Sequence, residues 1–297
     1  MKIAVIGSIN IDMVLEVDRI PLKGETLKCK NITYLPGGKG ANQAVAMAKL
    51  GADVEMFGCV GDDSNGIQMI DNLKRFNIKT DNIKTLENTP TGLAVISVGE
   101  EDNTIVVVAG ANEKVDKNYF DEIKDKINDY EIVVLQCEIP LDTISYIVDY
   151  CYDNNIKVIL NPAPALDIPM DTIEKVSYII PNESESKLIF KENDIEKILK
   201  KYPEKLIVSM GSKGICTSLK TGEILNVEAR KTKVIDTTGA GDTLNGAFAV
   251  QIADGKDIKE ALKYANVAAS LSIEKFGAQT GMPTKEEVEK VLKVLKG

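Results

Sequence analysis

The chain contains no histidine. That absence removes Ser-His-Asp and Cys-His catalysis, HExxH zinc sites and every histidine general base. A general base here must be Asp, Glu, Lys, Tyr or Cys, so a well-placed carboxylate carries more meaning than usual. Positive charge is also short: 36 Lys and Arg face 45 Asp and Glu, a formal net charge of −9. Scattered basic residues on an acidic chain argue against nucleic acid as a partner. No apolar run is long enough to span a bilayer, and Met1-Lys2 leads straight into IAVIG, which reads as a core strand. No membrane and no N-terminal signal are therefore expected. The five cysteines (Cys29, Cys59, Cys137, Cys151 and Cys216) are odd in number and include no CxxC. They are expected to be buried, reduced thiols of a cytoplasmic protein.

What the chain does have is 297 residues, enough for one large domain, or one domain plus a small appendage, with a sizeable core. Short apolar runs alternate with amphipathic stretches. The runs 2–7, 54–61, 131–136, 157–162, 177–182 and 205–211 read as buried strands. Helical patterns fall at 40–50, 65–77, 117–128, 142–154, 183–190, 194–201, 243–253, 257–275 and 284–296. This alternation predicts an α/β fold, a mostly parallel central sheet with helices on both faces. Functional loops then lie at the carboxyl ends of the strands. Residues 11–36 and 90–110 break the pattern with strand–turn–strand signals, the second with its turn at EEDN. Together they predict a small antiparallel sheet, serving as a lid or an interface. The main domain is accordingly expected over 1–10, 37–89 and 111–297.

The most informative segment is DTTGAGDTLNG, residues 236–246. Gly239, Ala240 and Gly241 lead into Asp242 and then into a run that can start a helix. Unobstructed N–H groups at a helix N-terminus suit a phosphate-like anion. An acidic side chain beside such a site is awkward unless it has chemistry to do, such as accepting a proton from a hydroxyl that attacks the phosphate. That is a kinase reading.

Other segments carry weaker signals. GGKGANQ (37–43) precedes a helix but is neither a P-loop nor GxGxxG. It is either a tight strand–helix connection or a ligand site that uses Gly38, Lys39 and Asn42. Asn10 and Asp12, two apart on extended chain, point to one side. They form either a strand-end turn or a hydrogen-bonding pair for ligand hydroxyls. Glu138 follows a strand where ligand-facing residues are expected. In PNESE, Asn182 and Glu185 lie on one face if a helix starts there, suited to Mg²⁺-water or phosphate contacts, although Asn182 also fits a plain N-cap. SMGSKG (209–214) would admit a nucleotide close to the backbone, and a hairpin turn would look much the same. A dinucleotide-dependent dehydrogenase is disfavoured, because GSINID has one glycine where three are needed.

Assembled, these segments resemble the ribokinases of the PfkB carbohydrate-kinase family nearly end to end. The resemblance rests on GSINID, GGKGANQA, LNPAPA, PNESE, SMGSKG, DTTGAGDTLNGAF and GAQTGMP. It implies a ribokinase-like, Rossmann-type three-layer fold with a small β-sheet lid, and transfer of the ATP γ-phosphate to the 5-hydroxyl of ribose. Carried over, Asp242 is the general base, and the amides of Gly239, Ala240 and Gly241 are the anion hole. Asn10, Asp12, Gly38, Lys39, Asn42 and Glu138 match ribose contacts. Asn182, Ser209, Gly211, Ser212, Gly214, Gly241 and Asn266 match nucleotide positions, and Glu185 the acid that organises Mg²⁺ and phosphate. Asp236, Thr238, Ser272, Lys275, Gly277 and Gly281 match the ligands of an activating monovalent cation, K⁺. The sequence departs from some ribokinases in carrying Asn266 where they have His. The lid is implied to double as a homodimer interface. Two other readings remain: a same-fold kinase for another acceptor (nucleoside, deoxyribose or fructose), and a sugar-binding protein without catalysis.

Overall fold

The computed structural model of the chain describes residues 2–99 and 102–296. The first half runs β1 (Lys2–Ile6), β2 (Asn10–Glu16), β3 (Asn31–Gly37), α1 (Lys39–Lys49), β4 (Asp53–Gly61), α2 (Ser64–Arg75), β5 (Ile83–Leu86), β6 (Gly92–Gly99) and β7 (Asp102–Val108). After a 3-10 turn at Gly110–Lys114 come α3 (Lys117–Ile127), β8 (Ile132–Gln136), α4 (Leu141–Asp153), β9 (Lys157–Asn161), α5 (Met170–Lys175) and β10 (Tyr178–Ile179). The remainder is α6 (Glu183–Phe190), α7 (Ile195–Lys201), β11 (Ile207–Ser209), β12 (Ile215–Ser218), β13 (Ile224–Val227), α8 (Ala240–Ala253), α9 (Ile258–Ser272), α10 (Ala278–Gly281) and α11 (Lys285–Lys296). No helix among the described residues is long and apolar enough to cross a membrane.

The central sheet has six strands in the order β10-β9-β8-β1-β4-β5, every pairing parallel. Its strands are apolar on both faces because both are covered. Ile3, Val5, Val54, Met56, Ile132 and Val134 face one layer, with α1, α8 and α9. Their neighbours Ala4, Ile6, Phe57, Val133 and Leu135 face the other, with α3 and α4. Strand periodicity therefore sorts one sheet into two cores.

The second sheet has the order β3-β2-β6-β7. β2–β3 and β6–β7 are antiparallel, as expected, but the inner strands β2 and β6 run parallel, with Asn10 opposite Gly92. Both inner strands leave the main body side by side, so the sheet is mixed. The expected turn at EEDN includes Glu100 and Glu101, which lie outside the described residues.

The structure also departs from the sequence reading elsewhere. The run at 205–211 yields only β11, which opens a separate antiparallel sheet β11-β12-β13. Parallel bridges Ile179–Leu206 and Asn182–Ser209 join it to the end of the central sheet. β5, β12 and β13 are four residues each, and α5 and α10 are six and four. Such lengths are too short to display a period. Helix 257–275 stops at Ser272, which frees the carbonyls that follow it. Of the thiols, Cys29 is half-exposed rather than buried, while the other four are buried; all five are free.

Candidate active site

α8 is buried along nearly its whole length, and its single charged residue is Asp242, 7 % exposed. Gly239, at φ 76°, precedes the helix, where a Cβ would lie 2.9 Å from Ala278. Only glycine combines that left-handed backbone with so close an approach. About two turns further on, Gly246 lets α8 settle on α1: a Cβ there would meet Ala46 at 2.8 Å and the Gln43 carbonyl at 3.1 Å. The contact brings Asp242 against the preceding turn of α1. Asn42 Nδ2 donates to Asp242 Oδ2 and Gln43 Nε2 to Oδ1, both at 3.0 Å.

Of the three expected anion-hole amides, Ala240 N–H donates to the Thr237 carbonyl at 3.2 Å. The amide of Gly241 has no protein acceptor among the described residues, and a Cβ on Gly241 would meet nothing within 4 Å. The helix N-terminus thus opens onto clear space beside the carboxylate.

Asn10 and Asp12 are the first and third residues of β2. Asn112, from the 3-10 turn, accepts the Ile9 N–H at 2.9 Å and donates to Asn10 Oδ1 at 2.7 Å. Among the described residues Asn10 Nδ2 has no protein acceptor. Gly38, at φ 86°, brings the start of α1 onto this strand, where a Cβ would sit 2.7 Å from the Asn10 nitrogen. Glu138 Oε2 accepts from the Ser8 hydroxyl at 2.5 Å and the Lys39 N–H at 2.9 Å.

Charge is concentrated here. Burial alone would lower the Lys39 ammonium, but Asp242, Glu138, Glu185 and Asp12 together raise it above its ordinary value. Asp12 is pushed up to about 6, chiefly by burial and then by Glu138 and Asp242. Asp242 is also raised: burial dominates, opposed by Lys39 and by the amides of Gln43 and Asn42. A carboxylate whose hold on a proton is raised by burial, beside an open helix N-terminus, can act as a base near a bound anion.

The nucleotide candidates form a chain of contacts. Asn182 bridges Ser209 and caps α6 through a reciprocal box: its Oδ1 accepts the Glu185 N–H, and Glu185 Oε2 accepts the Asn182 N–H, both at 2.8 Å. The plain N-cap reading of Asn182 is therefore realised, and among the described residues the other Glu185 oxygen has no hydrogen-bond partner. Burial raises the Glu185 carboxyl against the Asn182 bond and Lys39. Gly211 and Ser212 lie in the turn between β11 and β12, so SMGSKG is a hairpin connection. Gly214 packs against the 227–229 backbone, and Asn266 donates its amide to the Glu228 carbonyl at 2.6 Å.

The cation candidates also meet. Asp236 Oδ1 accepts from Thr238 N and Oγ1 at 2.9 and 2.6 Å, and its Oδ2 accepts from Gly277 N at 2.8 Å. A Cβ on Gly281 would fall 2.6 Å from the Ser272 carbonyl oxygen and 3.4 Å from that of Lys275. Two carbonyls thus converge on space that only a glycine leaves vacant. Oxygen donors with one carboxylate suit a hard monovalent cation.

Sequence reasoning missed the amides behind Asp242. Gln279 Nε2 donates to Asn42 Oδ1 at 2.9 Å, and Asn72 donates to Gln279 Oε1 at 2.8 Å. Gln136 Nε2 donates to Gln43 Oε1 at 2.8 Å, and Gln43 Nε2 also reaches Asn161 Oδ1 at 3.0 Å. Asn112 was missed too. For Gln43, Asn72, Gln136 and Asn161 the available signal was a polar amide on a predicted strand or helix, which must find partners when buried; Asn112 and Gln279 lie outside the predicted elements and carried no such signal.

The sequence profile of the pfkB family of carbohydrate kinases matches residues 1–285. A ribokinase of Bacillus subtilis is 45% identical over 291 residues, covering 98% of this chain and 99% of that one. A ribokinase of Lactococcus lactis is 45% identical over 296 residues, covering 99% and 98%. The structure of Arabidopsis thaliana ribokinase complexed with ribose and ATP superposes with a TM-score of 0.90 at 32% identity, covering 98% of each chain.

Proposed function

The chain belongs to the pfkB family of carbohydrate kinases, and we propose that it transfers the γ-phosphate of ATP to the 5-hydroxyl of D-ribose. The observation that carries this reading is Asp242, a buried carboxylate at the open N-terminus of α8 and within the field of Lys39. Ribose lies among Asn10, Asp12, Gly38, Lys39, Asn42 and Glu138. Its 5-hydroxyl gives its proton to Asp242 as the phosphoryl group moves in line. The amide of Gly241, with Gly239, stabilises charge on the transferring oxygens. The nucleotide runs along Asn182, Ser209, Gly211, Ser212 and Gly214 towards Asn266.

Glu185, whose second carboxylate oxygen has no hydrogen-bond partner among the described residues, would hold Mg²⁺ through water. Mg²⁺ supplies neutralisation of phosphate charge. Asp236, Thr238, Ser272, Lys275, Gly277 and Gly281 would hold K⁺, which supplies positive charge beside the glycine turn. The second sheet closes over ribose as a lid and excludes water. Tyr34, Ile105, Val106 and Val107 on that sheet are 53%, 55%, 65% and 56% exposed, and this apolar surface favours pairing with a second copy. Four buried free thiols suit a cytoplasmic location.

The test is coupled phosphorylation of a sugar and nucleoside panel with Mg²⁺-ATP, in K⁺ and in Na⁺. Ribose turnover that rises with K⁺ is expected. Preference for a nucleoside, deoxyribose or fructose would overturn the ribose assignment while leaving Asp242 as base. No turnover with any acceptor would favour a non-catalytic sugar-binding protein.

A further inference from the structure

Asp242 Oδ1 depends on an amide that is oriented from elsewhere. Gln43 is fully buried, and both hydrogens of its Nε2 are used, one on Asp242 Oδ1 and one on Asn161 Oδ1, each at 3.0 Å. Asn161 ends β9, and its Nδ2 donates to the Ile180 carbonyl at 3.0 Å. A backbone carbonyl can only accept. The Ile180 oxygen therefore forces the Asn161 amide nitrogen towards itself and Oδ1 towards Gln43. Gln43 must in turn present its nitrogen, and that nitrogen faces Asp242. Gln136 Nε2, donating to Gln43 Oε1 at 2.8 Å, completes the arrangement. With Gln43 reversed, its single Oε1 would face both Asn161 Oδ1 and Asp242 Oδ1, and its nitrogen would face the Gln136 nitrogen.

We propose that Asn161 is a positioning residue for Asp242, acting through Gln43 to keep an N–H donor aimed at the carboxylate. The inference rests on the reading of Asp242 as general base. Asn161 touches neither reacting atom. Its effect is on which form of Asp242 the surroundings favour, because a donor stabilises the ionised carboxylate and an oxygen favours the protonated acid. The other charges acting on Asp242 are Lys39 from α1, Glu138 beyond β8 and Asp12 from β2. Among the described residues the Asn161 side chain is hydrogen-bonded to Gln43 and the Ile180 carbonyl and to none of these groups, so its substitution leaves their hydrogen bonds in place.

The experiment is the pH profile of kcat/KM for ribose at saturating ATP and K⁺, whose acid limb reports the base of the free enzyme. Asn161→Leu is close to isosteric and removes both of its hydrogen bonds. Gln43→Met removes the donor itself. Loss of a hydrogen bond to a charged group predicts an acid limb about one pH unit higher in each variant. The double variant is expected to shift no further than Gln43→Met alone, because Asn161 works only through Gln43. A thermal melt confirms folding, and if Asn161→Leu does not fold, Asn161→Ala takes its place. An unmoved limb in Asn161→Leu, or full additivity in the double variant, overturns the proposal. Asp242→Asn is assayed alongside. If that variant keeps wild-type turnover, the base reading itself is overturned, an outcome distinguishable from failure of the relay.

Discussion

Asn42 donates its side-chain amide to Asp242 Oδ2 across 3.0 Å, although 200 positions separate the two in the chain. Gln279 holds the Asn42 oxygen at 2.9 Å, so the Asn42 nitrogen points at the carboxylate. Asn42 and Gln43, neighbours on the first turns of α1, thus fill one oxygen of Asp242 each. A buried carboxylate is costly unless it is bonded and paired. Here two amides and the Lys39 ammonium meet that demand and leave it able to accept a proton.

Asp242→Asn should fold and lose roughly 10²–10⁴ in turnover, the usual contribution of a general base. A coupled assay beside a circular-dichroism melt checks this. Near-normal turnover in a folded variant would remove Asp242 from the mechanism.

Asp12→Asn should make the unliganded protein more resistant to unfolding at pH 8 and unchanged near pH 3. The folded state raises the Asp12 carboxyl from 3.8 to about 6. It therefore holds the proton more tightly than the unfolded chain, and wild-type stability falls as pH rises across that window. Shifts of this size correspond to about 1–3 kcal/mol, readable in urea titrations at the two pH values. The same variant should bind ribose more weakly, because a hydroxyl acceptor is lost.

Gly281→Ala should abolish the response to K⁺. Its methyl would enter the space that faces the Ser272 carbonyl at 2.6 Å. Turnover measured against increasing K⁺ should be flat in the variant and rising in the parent. A parent-like rise would exclude this cradle as the cation site.

Asn112→Ala should raise the KM for ribose and leave that for ATP nearly unchanged. Asn112 satisfies the Ile9 N–H and braces Asn10 at 2.9 and 2.7 Å. An unsatisfied buried donor costs about 1–3 kcal/mol, so the melting temperature should fall as well. Equal changes in both KM values would argue against a role confined to the sugar side.

Much of this protein is legible locally. The alternation of apolar runs and amphipathic stretches carries the three-layer fold, because the 2.0 and 3.6 periods are written in consecutive residues. DTTGAGD likewise displays a glycine turn, a helix start and an acid within one segment. The short elements β5, β12 and β13 escaped because four residues cannot show a period. The parallel pairing of β2 with β6 escaped because it depends on how two distant hairpins leave the main body.

The sequence by itself determined the layered architecture, which follows from local periodicity, whereas the gathering of Asp12, Glu138 and Glu185 around Asp242 was implied there only by the family resemblance. Only the tertiary structure decided which way each buried amide points, and so how Asp242 is held. Those orientations come from partners 19 to 237 positions apart, and they end at fixed acceptors such as the Ile180 carbonyl. Hydrogen-bond direction inside a dry core is a property of the assembled chain, and no local pattern encodes it.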